Sequence, residues 1–343
     1  MLRGFGLTSG SLPGRQASLT DVAVLAGVSH MTVSRVVNKT GPVSAATRAK
    51  VLAAVEKLSY RPNSAARALV TGKSGILGVV TLDSTLYGPA STLYGIEHAA
   101  REAGYSVTIT SVGTPNSSAI AEAIETLRRL AVEGIVVIAP HAAASKSLEG
   151  APLDIPLVAV GGGQEAPVPM IAVDQADGAR RATEHLLALG HKTVWHVAGP
   201  VDWLEAQDRE TAWRQTLKRH RVRAPRIIRG DWSSRSGYAA GQALAREKDL
   251  TAVFVANDQM ALGLLRAFTE AGIAVPKDVH VVGFDDIPEA AYFSPPLTTV
   301  RQDFIEVGRR TFRQLAEQID GREPAARDLV PAELIVREST GPR

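Results

Sequence analysis

The 343-residue chain contains no cysteine. That excludes a disulfide framework, a thiolate nucleophile and any cysteine-based metal site. No apolar run approaches the ~18 residues that a membrane-spanning helix needs, so no membrane partner is expected. Gly-x-Ser-x-Gly, the turn that presents a nucleophilic serine, is absent. Gly4-Phe-Gly6 follows no strand and is not a dinucleotide loop. Gly161-Gly-Gly163 does follow one, but Pro167 and Pro169 block the helix that a phosphate site requires. His185, His191 and His196 share no metal-ligand spacing with a carboxylate. No catalytic constellation is left, so the chain does not read as an enzyme and no cofactor is expected. Residues 1–17 are rich in Gly, Ser and Leu and carry Arg3 and Arg15, without a compact apolar core and cleavage site. They read as a disordered extension and not a signal peptide, which fits a cytoplasmic protein.

The most informative stretch present is 19–38, which reads as two short helices joined by a tight turn. Thr20 can cap the first helix, with Val22, Ala23, Leu25 and Ala26 as its apolar positions. Gly27 permits the turn, and Ser29 can cap a second helix whose Val33, Val36 and Val37 face inward. Ser29, His30, Met31, Thr32, Ser34 and Arg35 then lie near the start or on the outer face of that helix. In a helix-turn-helix these positions meet base edges in the major groove. An ordinary helical hairpin with a solvated face would share the pattern. A third helix, about 45–58, follows the cap Ser44, with Leu52, Val55 and Leu58 at helical spacing to close the head. Charge is divided along the chain. Residues 1–73 hold ten Lys or Arg against two Asp or Glu, and the remainder 28 against 33. A basic head on a mildly acidic body suits phosphate contact, although a basic solvated face alone would look the same.

The head matches a known signature in Asp21-Val-Ala, Ala26-Gly-Val-Ser, Thr32-Val-Ser-Arg-Val-Val-Asn38, Val43-Ser-Ala-Ala-Thr-Arg-Ala-Lys-Val51 and Leu58-Ser-Tyr-Arg-Pro-Asn63. The match resumes in Gly230-Asp-Trp232, Val255-Ala-Asn-Asp-Gln-Met-Ala-Leu-Gly263, Val281-Val-Gly-Phe-Asp-Asp286 and Pro295-Pro-Leu-Thr-Thr-Val-Arg-Gln-Asp-Phe304. From about 19 to about 339 the chain resembles the lactose-repressor (LacI) family. The resemblance implies a DNA-binding transcription regulator whose operator affinity is set by a small ligand, most often a sugar. It implies a small all-α helix-turn-helix head at 18–62, a hinge helix and linker at 63–73, and a two-lobed effector-binding and dimerisation domain at 74–343.

Beyond the head, apolar runs at 76–82, 105–109, 134–139, 157–160, 194–198, 252–256 and 279–284 read as buried parallel strands. Helical patterns at 118–131, 176–189, 204–220 and 259–271 alternate with them, the signal of doubly wound α/β sheets. The resemblance makes these two Rossmann-like lobes with a ligand cleft between them. One spans about 75–173 plus 304–331, the other about 174–303 plus a last strand near 333–337. No leucine heptad follows that strand, so a two-fold homodimer on a pseudo-palindromic double-stranded operator is expected.

The resemblance also distributes roles. His30 and Met31 fall at the main specificity positions, with Arg35 able to reach guanine in a bidentate pair. Ser29, Thr32, Ser34, Asn38 and Thr47 suit phosphate, with a helix C-cap as the equal alternative for Asn38. Asn63, Ala66 and Leu69 form the hinge group. Leu69 aligns with a leucine that wedges into the minor groove, unless it packs on the lobe. The effector group is Arg209, Trp232, Asn257, Asp285, Gln302 and Phe304: an aromatic plate with a rim of planar polar groups, as a sugar requires. Asp285 by itself would equally pass for a loop carboxylate. Trp195, Trp203 and Trp213 are expected to pack or lie at the surface. Leu82 and a glycine at about 162 stand where polar groups of the first lobe are expected, so a galactoside or another glycoside fits, with Leu86, Tyr87 and Pro89 walling that side. The rival functions are a sugar-binding transport receptor and a regulator that takes a purine as corepressor.

Overall fold

The computed structural model describes residues 17–38, 40–61, 72–82, 85–113, 117–138, 141–148, 154–162 and 168–341. The hinge candidates Asn63, Ala66 and Leu69, and all of the N-terminal extension but Ala17, lie outside the described residues. The chain forms two compact units, 1–74 and 75–343.

In the first unit α1 (Leu19–Ala26), α2 (His30–Val37) and α3 (Ala45–Lys57) form a helical head. Ser18, and not Thr20, caps α1. Its hydroxyl accepts the Asp21 N–H at 3.2 Å while the Asp21 carboxylate accepts the Ser18 N–H at 2.7 Å. Thr20 already lies inside the helix and cannot make this reciprocal pair. Gly27, at φ +64°, ends α1 in the left-handed conformation. Ser29 and Ser44 cap α2 and α3 by accepting the Thr32 and Thr47 N–H groups. Val22, Ala23, Val33, Val36, Val51, Ala54 and Tyr60 make the core. Leu25 and Leu52, expected inside, are 43% and 51% exposed. In α3 the buried stripe starts one residue earlier, at Val51 and Ala54, because apolar spacing gives the helical period more securely than its phase.

The second unit runs β1 (Ile76–Leu82), α4 (Tyr87–Glu102), β2 (Ser106–Val112), α5 (Ser117–Arg129), β3 (Gly134–Ile138), α6 (Ala142–Ser147), β4 (Leu157–Val160), β5 (Met170–Val173), α7 (Gln175–Ala188), β6 (Trp195–Ala198) and α8 (Leu204–Arg219). It continues with β7 (Ile228–Arg229), α9 (Ser234–Leu244), β8 (Ala252–Val255), α10 (Asp258–Glu270), β9 (His280–Asp285), β10 (Thr298–Gln302), α11 (Phe304–Ile319), β11 (Arg327–Val330) and β12 (Ala332–Ile335). Two six-stranded sheets result, ordered β11-β5-β4-β3-β1-β2 and β12-β10-β9-β8-β6-β7. Every pairing is parallel except β10 with β12. The chain passes between the lobes after Val173, after Gln302 and at Pro331. β1, β3, β4, β8 and β9 carry nearly unbroken apolar sequence because helices cover both faces of a parallel sheet. β5, β7, β10 and β11 were not anticipated: β5 and β7 have four and two residues, and β10 and β11 read Thr-Thr-Val-Arg-Gln and Arg-Asp-Leu-Val, with polar residues breaking the apolar run. Among the described residues, no helix is long and apolar enough to cross a membrane.

Candidate functional site

The carboxyl ends of strands from both lobes open onto one cavity of about 320 Å³, within the range of roughly 300–1,000 Å³ usual for small-molecule sites. Ligands of open α/β sheets bind at such strand ends. All six expected effector residues line it: Arg209, Trp232, Asn257, Asp285, Gln302 and Phe304.

Its floor is a closed polar ring. The Arg209 Nε–H donates to Gln175 Oε1 at 2.8 Å, Gln175 Nε2 donates to Gln302 Oε1 at 2.7 Å, and Gln302 Nε2 donates to Asp285 Oδ1 at 2.6 Å. Asp285 Oδ1 lies 3.8 Å from Arg209 Nη2, which completes the ring. Arg209 also donates to the Ala256 carbonyl, and its guanidinium sits 3.9 Å from the Phe284 ring centroid. These four side chains are all buried, and a buried charge is tolerated when each polar atom has a partner. Burial pushes the Asp285 carboxyl up to about 6, against the opposing pull of Arg209 and Gln302. Gln175 was not anticipated. It opens α7, 127 residues from its partner Gln302, and nothing in its local sequence marks it.

Above this floor stands the aromatic wall. Trp232 has φ +72° and packs against Gly199, where a Cβ would come within 2.2 Å of the indole. Only glycine allows that approach. Trp203 meets Trp232 edge-on, with centroids 5.4 Å apart. It is thus a cavity wall, which corrects its assignment to packing or surface. Trp195 and Trp213 are buried packing residues as expected, the latter donating to the Val194 carbonyl at 3.0 Å. Phe304 packs edge-on to Tyr87 at 5.7 Å, and Leu86 and Pro89 wall the same side. Asn257 lines the cavity, but its side chain is engaged locally. Its Oδ1 caps α10 at Met260 N–H, and its Nδ2 donates to the Trp232 carbonyl at 3.1 Å and to Gln259 at 2.8 Å. It therefore holds the aromatic plate in place.

Two first-lobe expectations need correction. Leu82 is buried in the core of its lobe and does not reach the cavity, because it is the last residue of a strand covered on both faces. At the end of β4 the glycine that lines the cavity is Gly161. Gly162 instead packs against the backbone of Leu204 and Glu205. The lobes also touch where the Ala142 N–H donates to the Asp202 carbonyl at 3.2 Å and His141 stacks edge-on to Trp203 at 4.6 Å. Among the described residues, no group of three or more His, Asp or Glu is placed to hold a metal.

On the head, Ser29, His30, Met31 and Arg35 are exposed along one side of α2. Met31 is 64% exposed, an apolar side chain with no core to fill, and Arg35 Nη2 lies 3.7 Å from its sulfur. The hydroxyls of Ser29 and Thr32 hydrogen-bond at 2.9 Å, and Ser44 Oγ donates to Thr47 at 2.8 Å. Asn38 both ends α2 and donates to Ser34 Oγ at 3.1 Å, so the cap reading of Asn38 has a structural basis.

Residues 18–63 match the family described as bacterial regulatory proteins, lacI family, and residues 183–340 match the periplasmic binding protein-like domain. The chain is 36% identical to the lactose operon repressor of Escherichia coli (strain K12), covering 95% of this chain and 91% of that protein. It is 34% identical to the HTH-type transcriptional repressor PurR of Vibrio parahaemolyticus serotype O3:K6 (strain RIMD 2210633), over 94% of this chain and 98% of that one. The fold superposes with a TM-score of 0.88 on the lac repressor dimer bound to operator and the anti-inducer ONPF, at 36% identity, covering 95% of this chain and 99% of that one.

Proposed function

The chain belongs to the LacI family of bacterial regulatory proteins and is a DNA-binding transcriptional repressor, and from that premise we propose that a glycoside held between its lobes releases it from operator DNA. One observation carries this reading: the Trp232 plate and the Arg209–Gln175–Gln302–Asp285 ring border the same cavity. A pyranose ring offers an apolar C–H face and a rim of hydroxyls that both donate and accept. An aromatic surface beside planar polar groups complements both. A ligand shifts an equilibrium only through a difference in its affinity for the two states, and lobes that close on the sugar supply that difference. The similarity to PurR favours a second reading, in which a purine in this cavity tightens DNA binding.

On the DNA side, His30, Met31 and Arg35 read base edges while Ser29, Thr32, Ser34, Asn38 and Thr47 steady the phosphates. Asn63, Ala66 and Leu69 enter the minor groove. The unit of binding is a two-fold dimer on a pseudo-palindromic operator, which the likeness to the operator-bound lac repressor dimer supports.

The test is a titration of full-length protein on duplexes selected from a random pool, with glycosides or purine bases added. Release by a glycoside supports the reading, and tightening by a purine base overturns it in favour of the second. In the same assay Arg35→Ala should lose roughly 1–3 kcal/mol and relax preference at one base pair. A loss equal across all sequences would move Arg35 to a phosphate role.

A further inference from the structure

The polar groups of the cavity floor are already matched to one another, and the polar atoms left over are more informative. Glu205 lies in the first turn of α8, in the second lobe, and lines the cavity. Its own backbone amide and that of Gly162, in the first lobe, both favour the ionised carboxyl. The approach is close: a Cβ on Gly162 would fall 2.9 Å from the Glu205 nitrogen. The first-lobe backbone is therefore packed against the start of α8, beside the residue that carries the carboxyl. Its other oxygen, Oε2, is shielded from solvent and has no hydrogen-bond partner among the described residues. The Trp232 indole N–H, on the same cavity, is in the same condition. A native fold rarely leaves a buried acceptor and a buried donor both unmatched, and two such atoms on residues that line one cavity point to a ligand that carries their complements once these side chains turn toward it.

Resting on the glycoside reading above, we propose that Glu205 is a specificity-determining residue of the effector site: its Oε2 accepts a hydrogen bond from one sugar hydroxyl, while Gly162 of the opposite lobe holds the carboxyl in place. The ligand is thereby a polyol with a donor directed at the start of α8. Ammonium groups are disfavoured, because the guanidinium of Arg209 shares the cavity and one turn of helix. The same hydrogen bond links ligand to switching. It joins a sugar lying against the second lobe to a residue packed on the backbone of the first, so it forms fully only when the lobes are closed.

Isothermal titration calorimetry of the full-length protein tests this with methyl α- and β-D-galactosides and glucosides and their singly deoxygenated and amino-substituted analogues. Glu205→Gln should weaken the tightest-binding glycoside by at least about tenfold. One deoxy analogue should lose the same factor on the wild type and no more than about twofold further on the variant, closing the cycle. Glu205→Ser serves as a second variant, and thermal melting confirms that both fold. Unchanged affinity and ranking in the variants overturns the inference while leaving the glycoside reading intact. An amino analogue that binds the wild type more tightly than its parent hydroxyl overturns it too, by making Glu205 a cation reader. If no glycoside binds the wild type, the glycoside reading falls and this inference with it.

Discussion

Where the first lobe meets the cavity it brings mainly apolar groups, Leu86, Tyr87, Pro89, Ile138, Val160 and the backbone of Gly161, with Thr85 and Thr92 as its small polar side chains and no charged one among the described residues. The second lobe brings Arg209, Asp285, Gln302, Gln175, Glu205 and two tryptophans. The apolar side contributes shape and dryness, the polar side directional contacts. The two act on each other. Burial raises the carboxyl of Asp285 to about 6 and that of Glu205 to about 7, and part of that burial is the apolar wall opposite. An electrostatic contact strengthens as water leaves, so the plain lobe amplifies the chemistry of the charged one.

Asp285→Ala should produce the largest effect and the sharpest asymmetry between lobes. Losing a charge-assisted acceptor costs roughly 1.5–3 kcal/mol, about ten- to a hundredfold or more in effector affinity, and leaves Arg209 without its counter-charge. The repressor should still bind operator and fail to be released, as read by operator titration with and without glycoside. Normal release would break the assignment of the polar lobe.

The next effect concerns pH. If ionised Glu205 and Asp285 accept sugar hydroxyls, effector affinity should fall as the pH drops from 8 to 5, first through about 7 and then through about 6, by up to about tenfold per unit. Stability without ligand runs the other way. Both carboxyls are raised in the folded chain, so their contribution to folding is present at low pH and is lost as the pH rises through about 6 and about 7. Glu205→Gln should therefore gain melting temperature relative to the wild type as the pH rises toward about 7, with the gain levelling off above it. A pH-independent difference would remove the charge from the account.

The smallest effect belongs to the apolar lobe. Leu86→Ala should cost about 1 kcal/mol or less of effector affinity, a fivefold loss at most, since it removes part of one apolar contact. Its pH slope should match the wild type. A loss rivalling that of Asp285→Ala would show that both lobes read the ligand.

Much of this was legible before any coordinates. The head was readable because capping, turn and apolar spacing act over a few residues, although Thr20, Leu25 and Leu52 show that caps and helical phase slip by one or two positions. The alternation of strands and helices was readable because buried parallel strands are continuously apolar. Arg209, Trp232, Asp285, Gln302 and Phe304 were identified through recognisable neighbours. Gln175, Trp203 and Glu205 were not, because they sit on ordinary amphipathic helices or a loop, where a cavity-facing side chain has the same local pattern as a packed one.

The sequence by itself therefore determined the helices of the head, the alternation of strands and helices in the body and the basic charge of the head, and the resemblance added the side chains able to stack or pair with a sugar. The helices, the alternation and the charge follow from local propensity and residue chemistry. Tertiary structure alone decided which groups meet: Gln175 with Gln302, the Gly162 backbone with the start of α8, Trp203 with Trp232. It also decided which polar atoms were left for a ligand. Such partnerships join segments far apart in the chain, and they exist only once two sheets have been folded with their strand ends on one cavity.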